Sequence, residues 1–380
     1  MNDWKWVKLS EIIDFNPKEQ LLKGSISKKI AMEKIEPFTR DISEFERLEF
    51  KGGTKFRNGD TLIARITPSL ENGKTAKVNL LDEDEIGFGS TEFIVARAKK
   101  GISDENFVYY LMLDPKVREV AIKSMVGTSG RQRVQLDVVK NYEILCPPLE
   151  EQIQIGRILS VIDDKIENNK KINHHLLEQA RLLYKNLISS NDTKYQNLSD
   201  IARITMGQSP KGETYNYDKI GLPLLNGATD FRNSISPSKW TSDPRKIARP
   251  GEYVFGVRAT IGLTTKIFKE YAIGRGTGSA KPISNIFDEY LFFALEDLFD
   301  YYANLGSGTV YINISKSDFD SFKVILPIKD QFLVDFHKTV QPLFNLIFNN
   351  NAEIQKLSEL RDCLLPKLLS GEISINQATK

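Results

Sequence analysis

The chain has 380 residues, of which 41% are hydrophobic and 27% are charged, and its formal net charge is +2. This composition predicts two to three soluble globular domains and excludes a disordered chain, a collagen-like repeat and a small disulfide-rich protein. No run approaches the roughly 18 apolar residues of a membrane span, and the N-terminus lacks the pattern of a signal peptide. Cys146 and Cys363 are far apart and form no CxxC motif, so we expect a cytoplasmic location.

The first segment, residues 1–147, is predicted to be a globule of strands and short helices. FRNGDTLIARI (56–66) places a glycine turn before an apolar strand, and NFVYYLML (106–113) has the pattern of a short amphipathic helix. NYEILCPPLEEQ (141–152) predicts a strand that ends in prolines before a helix begins.

Residues 148–190 are predicted to form one long helix. Its seam positions recur in steps of four and three, a spacing that is typical of a helix packed along another helix. At about 1.5 Å per residue the seam extends for about 50 Å. The seam residues are Ile155, Leu159, Ile162, Ile166, Asn169, Asn173, Leu176, Ala180, Leu183 and Leu187.

The second half of the chain repeats the first. Residues 191–327 contain similar segments, such as YQNLSDI (195–201) beside WVKLSEI (6–12), and residues 328–380 repeat the long helix. Adding 181 to each seam number gives Phe336, Val340, Leu343, Ile347, Asn350, Ile354, Leu357, Arg361, Leu364 and Leu368. The duplication predicts two similar globules and two long helices, an α+β architecture.

We expect the two helices to pair as an antiparallel coiled coil with a pseudo-two-fold axis and the globules at opposite ends. Asn169, Asn173 and Asn350 would then share the central layers, where buried asparagines set the register of the pairing. The alternative is that these asparagines lie at an exposed helix bend. Pro342 and Pro366 predict a kink or a late start in the second helix.

Charge is balanced in every segment. Residues 1–147 carry 24 Lys and Arg against 23 Asp and Glu, and residues 191–327 carry 16 against 15. A protein that holds DNA by itself usually has a basic excess, because phosphate neutralisation contributes much of the affinity. A role on nucleic acid therefore requires local basic patches or a partner that also grips the duplex.

Catalytic and cofactor motifs are not found, but polar loops recur between the short strands. The sequence contains no HExxH, no zinc-ligand cluster, no GxSxG and no methyltransferase cofactor loop. The loops are rich in Gly, Ser, Thr, Asn, Arg and Gln, side chains that bind base edges and phosphates. Arg131, Gln132 and Arg133 form the densest cluster.

Several segments together resemble the specificity subunits of type I restriction–modification systems, also called HsdS. They are WVKLSEI, GDTLIARI, GFGSTEFIVAR (87–97), the junction LCPPLEEQIQIGRILSVIDDKIENNKKI (145–172) and the C-terminal IQKLSELRDCLLPKLLSGEI (354–373). The resemblance implies a non-catalytic subunit with target recognition domains at 1–147 and 191–327 and conserved spacer helices at 148–190 and 328–380. Each recognition domain would read one half of a gapped DNA site.

The same resemblance implies partners and cofactors. The helices would set the gap and dock two methyltransferase subunits that bind S-adenosylmethionine, and two restriction and translocase subunits would use ATP and Mg²⁺. Roles are carried over only at the level of loops. The candidate DNA-binding residues are Arg65, Asn72, Lys74, Lys77, Thr91, Arg131, Gln132 and Arg133 in the first globule, and Lys211, Arg258, Thr260, Lys266, Arg275, Thr277, Tyr311 and Asn313 in the second.

Two other hypotheses remain open from the sequence. One is a non-catalytic adaptor whose two globules bind proteins rather than DNA, which would lack salt-dependent DNA affinity in the presence of a methyltransferase. The other is a nuclease or methyltransferase with unrecognised motifs, which binding of S-adenosylmethionine or metal by the isolated chain would reveal.

Overall fold

The computed structural model describes residues 3–231, 235–258, 260–305 and 313–378. The chain divides into two compact units, unit 1 with residues 1–168 and 353–380, and unit 2 with residues 169–352. Helices and strands are mixed in both units, as the sequence predicts. Each unit therefore combines a globular part with a stretch of each long helix.

Unit 1 begins with short strands and short helices and continues into the first long helix. Its strands are β1 (Lys5–Lys8), β2 (Ile13–Phe15), β3 (Ile26–Ile30), β4 (Glu46–Glu49), β5 (Thr54–Phe56), β6 (Thr61–Ala64), β7 (Thr75–Lys77), β8 (Gly87–Gly89), β9 (Phe93–Ala98) and β10 (Glu143–Cys146). Its helices are α1 (Leu9–Ile12), a 3-10 turn (Met32–Lys34), α2 (Glu105–Leu113), α3 (Pro115–Lys123), α4 (Leu136–Lys140) and the long α5 (Leu149–Ser189), which continues into unit 2.

Three sheets form the globular part of unit 1. β1 pairs with β10, which joins the two ends of the globule immediately before α5. A second sheet has the order β2-β9-β6-β7 and is antiparallel throughout. The third has the order β4-β3-β8-β5, and its β3 and β8 are parallel.

Unit 2 repeats this organisation. Its strands are β11 (Thr193–Asn197), β12 (Ala202–Met206), β13 (Tyr215–Asn216), β14 (Leu222–Leu225), β15 (Lys239–Thr241), β16 (Ile247–Ala248), β17 (Tyr253–Arg258), β18 (Thr260–Lys266), β19 (Tyr271–Ile273), β20 (Thr277–Pro282) and β21 (Lys323–Pro327). Its helices are 3-10 turns at Leu198–Asp200, Gly212–Thr214, Ala228–Asp230 and Asn285–Phe287, then α6 (Asp288–Leu305), α7 (Lys316–Ser321) and the long α8 (Asp330–Ser370), after which α9 (Ile375–Ala378) lies in unit 1.

Two of the three sheets of unit 2 match those of unit 1 strand by strand, and the third has five strands in the order β13-β15-β14-β19-β16 where unit 1 has four. β11 pairs with β21 as β1 pairs with β10, and the order β12-β20-β17-β18 corresponds to β2-β9-β6-β7. In the remaining sheet β14 and β19 are parallel, as β3 and β8 are in unit 1. The duplication seen in the sequence is therefore a duplication of strand order.

The seam positions face the interior of the units. None of the twenty seam residues predicted from the spacing is exposed. Ile155, Leu159 and Leu368 lie in the core of unit 1, and Ala180, Leu187, Phe336 and Val340 lie in the core of unit 2. Burial of this apolar stripe is the main force that holds a long helix against its globule.

The late start predicted for the second long helix is wrong. α8 begins at Asp330, twelve residues before Pro342, and continues through Pro366. Pro342 itself is exposed, while Phe336 and Val340, which precede it on α8, are buried in the core of unit 2. Packing of those side chains stabilises the turns that lose a hydrogen bond at the proline.

Candidate nucleic-acid interface

One end of the central sheet of unit 1 collects several predicted residues. β6 ends at Ala64 and β9 begins at Phe93, and these two residues are register partners. Arg65 and Thr91 therefore lie at the same end of the sheet, where the backbone N–H of Arg65 donates to the carbonyl of Glu92 at 2.9 Å. Thr91 is exposed and Arg65 is half-buried.

The loop that precedes α4 joins this sheet end. The backbone N–H of Gln132 donates to the hydroxyl of Thr67 at 3.1 Å, and the N–H of Thr67 donates to the carbonyl of Gln132 at 3.0 Å. The N–H of Val134 donates to the carbonyl of Arg65 at 2.9 Å. Three loops that are distant in sequence thus bring Arg65, Thr91, Gln132 and Arg133 together.

Arg133 is held by an acid that sequence analysis missed. Its Nε lies 3.0 Å from both carboxylate oxygens of Glu92, and one terminal nitrogen lies 2.6 Å from Oε1. The hydrogen bonds from Arg133 hold the pKa of the Glu92 carboxyl below its ordinary value. No local sequence signal identifies this pair, because the two residues meet only through the folded loops.

The other candidates of unit 1 divide between solvent and interior. Asn72 and Arg131 are exposed, and Arg131 makes no side-chain hydrogen bond or ion pair to any described residue. The ammonium of Lys74 donates to the carbonyl of Met32 at 2.8 Å. Lys77 is buried, and its ammonium donates to Glu105 at 2.7 Å and to Asn106 at 2.5 Å. Both lysines therefore direct their charge inward.

Unit 2 has a corresponding sheet end. β17 ends at Arg258, β18 begins at Thr260 and β20 begins at Thr277, and Thr277 is the register partner of Gly256. Arg258 is exposed, and so is Arg275, which lies in the loop before β20. The N–H of Val257 donates to the carbonyl of Gly276 at 3.0 Å, which holds the two loops together.

The loop after β12 reaches the same place through a close backbone approach. A Cβ on Gly207 would lie 2.1 Å from the carbonyl oxygen of Gly274, so only glycine allows this crossing. The N–H of Gly207 donates to the carbonyl of Thr277 at 2.9 Å. Lys211, four residues further along, is exposed and lies 3.9 Å from a carboxylate oxygen of Glu213.

The remaining candidates of unit 2 have other surroundings. Thr277 is buried, and its hydroxyl has no partner among the described residues. The ammonium of Lys266 bonds to Asp288 and lies over the ring of Tyr253 at 5.4 Å, so it is engaged inside the unit. Asn313 is exposed. Tyr311 and the side chain of Thr260 lie outside the described residues.

Corresponding positions of the two units carry different side chains. The register pairs Ala64 with Phe93 in unit 1 and Gly256 with Thr277 in unit 2, so Val257 corresponds to Arg65 and Arg275 corresponds to Thr91. Arg133 and Asn313 each precede a buried aliphatic residue that lies two residues before a short helix. The duplicated scaffold thus presents two chemically distinct sets of polar groups.

The asparagines of the seam make an amide ladder in unit 2. The amide nitrogen of Asn350 donates to the side-chain oxygen of Asn173 at 2.8 Å, and that of Asn173 donates to Asn351 at 2.8 Å. Asn169 is 1% exposed and Asn350 is 8% exposed. An exposed helix bend therefore does not describe these two residues.

The described ranges contain neither a candidate metal site nor a candidate membrane-spanning helix. No three His, Cys, Asp or Glu side chains in these ranges are grouped so that they could hold a metal ion. The described helices include none that combines the length and the apolar character needed to cross a membrane.

Comparison with known proteins identifies similar sequences and a similar fold. A family described as type I restriction modification DNA specificity domain matches residues 1–178 and again residues 191–359. The putative type I restriction enzyme MjaX specificity subunit of Methanocaldococcus jannaschii is 26% identical, and the alignment covers 98% of this chain and 94% of that protein. The EcoAI specificity subunit of Escherichia coli is 34% identical over 42% of this chain and 28% of its own length.

A solved structure supports the fold alone. The type I restriction–modification S subunit from M. genitalium superposes with a TM-score of 0.57 at 16% identity, covering 97% of this chain and 96% of that one.

Proposed function

The chain belongs to the family of type I restriction–modification DNA specificity domains, and from this premise we propose that it is the DNA sequence-specificity subunit of such a complex. The family predicted from the sequence motifs is thereby confirmed. Each of the two family matches covers one globule and part of one long helix. Each globule would read one half of a two-part DNA site.

One observation carries the proposal: two units whose central sheets have the same strand order present different exposed side chains at corresponding loops. A symmetric site would need identical side chains in both units. Thr91 against Arg275, and Arg133 against Asn313, instead favour an asymmetric target. Arginine reads guanine and asparagine reads adenine by paired hydrogen bonds, so such exchanges change the bases that are preferred.

The proposed contacts are the described members of the predicted set whose polar groups are not engaged in the interior of a unit. A base contact from Lys74, Lys77, Lys266 or Thr277 would require breaking internal packing, so we do not include these four. The proposed contact residues are Arg65, Asn72, Thr91, Arg131, Gln132, Arg133, Lys211, Arg258, Arg275 and Asn313.

The long helices would set the gap between the half-sites. We propose that they pair as an antiparallel coiled coil with pseudo-two-fold symmetry. In support, Lys165 of α5 lies 3.5 Å from Glu353 of α8 in unit 1, and Asn173 of α5 bonds Asn350 of α8 in unit 2. The residue numbers therefore rise along α5 while those of the partners on α8 fall, as they do in antiparallel helices. A helix of 41 residues is about 60 Å long, compared with about 34–36 Å for one turn of DNA.

The complex would supply what this chain lacks. With a net charge of +2, the chain has little excess charge to neutralise phosphates. We propose that two methyltransferase subunits dock on the helices, bind S-adenosylmethionine and modify a flipped adenine. Two restriction and translocase subunits would bind ATP and Mg²⁺. This chain would act without catalysis, in the cytoplasm where the DNA is.

The decisive experiment is expression of the chain with its cognate methyltransferase in a methylation-free host, followed by single-molecule sequencing of the DNA. The expected result is adenine methylation at one gapped two-part motif, absent when this chain is omitted. A soluble assembled complex without methylation would contradict the proposal and favour the protein-binding adaptor.

A further inference from the structure

A buried ion pair joins the two long helices within unit 1. One carboxylate oxygen of Asp163 on α5 accepts from a guanidinium nitrogen of Arg361 on α8 at 2.9 Å. The other oxygen accepts from the hydroxyl of Tyr110 on α2 at 2.6 Å. The side chains of Asp163 and Arg361 are 3% and 8% exposed. The pair is therefore removed from water on all sides.

Further polar contacts surround the Asp163–Arg361 pair, and together with it they form what we call the Asp163–Arg361 layer. Arg361 donates to Asp362 at 2.9 Å and to the carbonyl of Phe38 at 3.4 Å. Arg40, from the same loop as Phe38, bonds Asp164 at 2.6 Å. Every charge in the layer thus has an opposite charge within hydrogen-bond distance.

The corresponding layer of unit 2 is apolar. The offset of 181 that relates the helices places Phe344 where unit 1 has Asp163, and Ala180 where unit 1 has Arg361. Phe344 is 3% exposed and Ala180 is 0% exposed, and both lie in one core cluster with Phe293. The rings of Phe293 and Phe344 pack edge to face, with centroids 5.9 Å apart. The same position in the repeat is thus filled in two chemically incompatible ways.

Stability alone does not explain the ion pair. Burial of two charges carries a desolvation cost that their attraction roughly offsets, and apolar replacements are often as stable. The best-attested effect of a buried polar layer between helices is to select the partner and the register. A layer of this kind disfavours any alternative partner that would leave one of its charges unpaired.

The internal repeat creates that alternative. Because the two halves share a fold, a half of one copy could pair with the same half of a second copy by exchange of helices. If two first halves paired, Asp163 would face Ala180 and would be buried without a cation. If two second halves paired, Arg361 would face Phe344 and would be buried without an anion. Only pairing of a first half with a second half satisfies both charges.

We propose that the Asp163–Arg361 layer is a pairing-specificity site that makes the end of α8 the required partner of the start of α5 and rejects a second copy of either half. The partner that this surface fits is the complementary half of the chain. The inference rests on contacts within unit 1 and within unit 2, and it does not depend on the DNA-binding role.

The test uses two full-length copies with different affinity tags, expressed together. One copy carries Asp163→Arg and the other carries Arg361→Asp, so like charges meet within each copy but complementary charges meet between copies. We expect recovery of the second tag with the first to rise about tenfold or more over two wild-type copies, since breaking a buried pair is strongly unfavourable. Recovery at the wild-type level would overturn the proposal.

Two further variants keep the test decisive. Asp163→Arg and Arg361→Asp in one chain restores the pair with its direction reversed. This matched control should show wild-type recovery of one tagged copy with the other.

Asp163→Phe with Arg361→Ala installs the residues of unit 2 and removes the discrimination against a second copy. It should raise recovery of one tagged copy with the other about tenfold. If this apolar variant is soluble and stays at the wild-type level, the layer does not select the pairing.

Discussion

Arg133 and Glu92 form a two-point ion pair although they are 41 residues apart in the sequence. Glu92 lies just before β9, and Arg133 lies in the loop before α4. The side chain of Arg133 is 44% exposed and that of Glu92 is 24% exposed. The guanidinium is therefore oriented by the carboxylate and still reaches solvent. A pre-oriented arginine at the end of a sheet loses little conformational freedom when it binds a planar acceptor such as a guanine edge.

Replacement of Arg133 should therefore weaken DNA binding. We expect Arg133→Ala to reduce the affinity of the assembled complex for the DNA motif that it methylates by about tenfold or more if the side chain contacts a base. Arg47→Ala is the matched control, since Arg47 lies in β4 of another sheet and is an exposed arginine in an ion pair with Asp82. Fluorescence anisotropy at fixed salt measures both. Unchanged affinity and an unchanged motif would remove Arg133 from the interface.

Lys77 should behave in the opposite way. Its buried ammonium bonds Glu105 and Asn106, so Lys77→Ala leaves two acceptors without their donor and should lower the free energy of unfolding by about 1–3 kcal/mol. DNA affinity per folded molecule should not change. Urea unfolding and titration of the active fraction separate the two effects. A large loss of affinity with normal stability would return Lys77 to the predicted contact set.

The contrast between these residues shows what the sequence can predict. The long helices and the repeat depend on spacing along the chain, and Ile155 and Phe336 were identified from spacing alone. The burial of Lys77 depends on the pairing of β7 with β6 and on the position of α2, which no local pattern determines. Glu92 likewise acquires its role only when the loops before β9 and α4 meet. Loop residues were therefore predicted by type, and their partners could not be.

The amides of Asn173 and Asn350 should be energetically coupled. Asn350→Ala removes the donor at 2.8 Å from the side-chain oxygen of Asn173 and should lower the free energy of unfolding by about 1 kcal/mol. After Asn173→Ala, the same change at 350 should have less effect. A double-mutant cycle by urea unfolding measures the difference. Additive effects would show that the hydrogen bond contributes nothing to the pairing in unit 2.

Glu296 should make the stability of unit 2 depend on pH. Burial raises the pKa of its carboxyl above the ordinary 4.5, although Thr264 and Arg181 favour the charged form, and Asp297 and Asp300 add to the increase. A raised pKa in the folded state contributes stability below pH 4.5, and this contribution is lost as the pH rises through the folded value.

The matched variant is Glu296→Gln, which still accepts the hydrogen bond that Thr264 makes at 2.7 Å but carries no charge. Its free energy of unfolding relative to the wild type should increase as the pH rises from about 4.5 towards 8. Urea unfolding at several pH values measures this difference. A constant difference across the range would mean that Glu296 titrates as an exposed carboxyl does.

Exchange of the first globule tests whether the two halves of the target are read separately. Replacing residues 1–147 by the same segment of another family member should change one half of the methylated motif and leave the other half and the gap unchanged. The exchange is structurally reasonable because β1 and β10 pair with each other and so move together. The new segment must still pack on Ile155, Leu159 and Leu365 of the retained helices. Exchange of residues 191–327 is the reciprocal control and should alter only the other half of the motif. A change of both halves of the motif by either exchange would show that the globules do not read DNA independently.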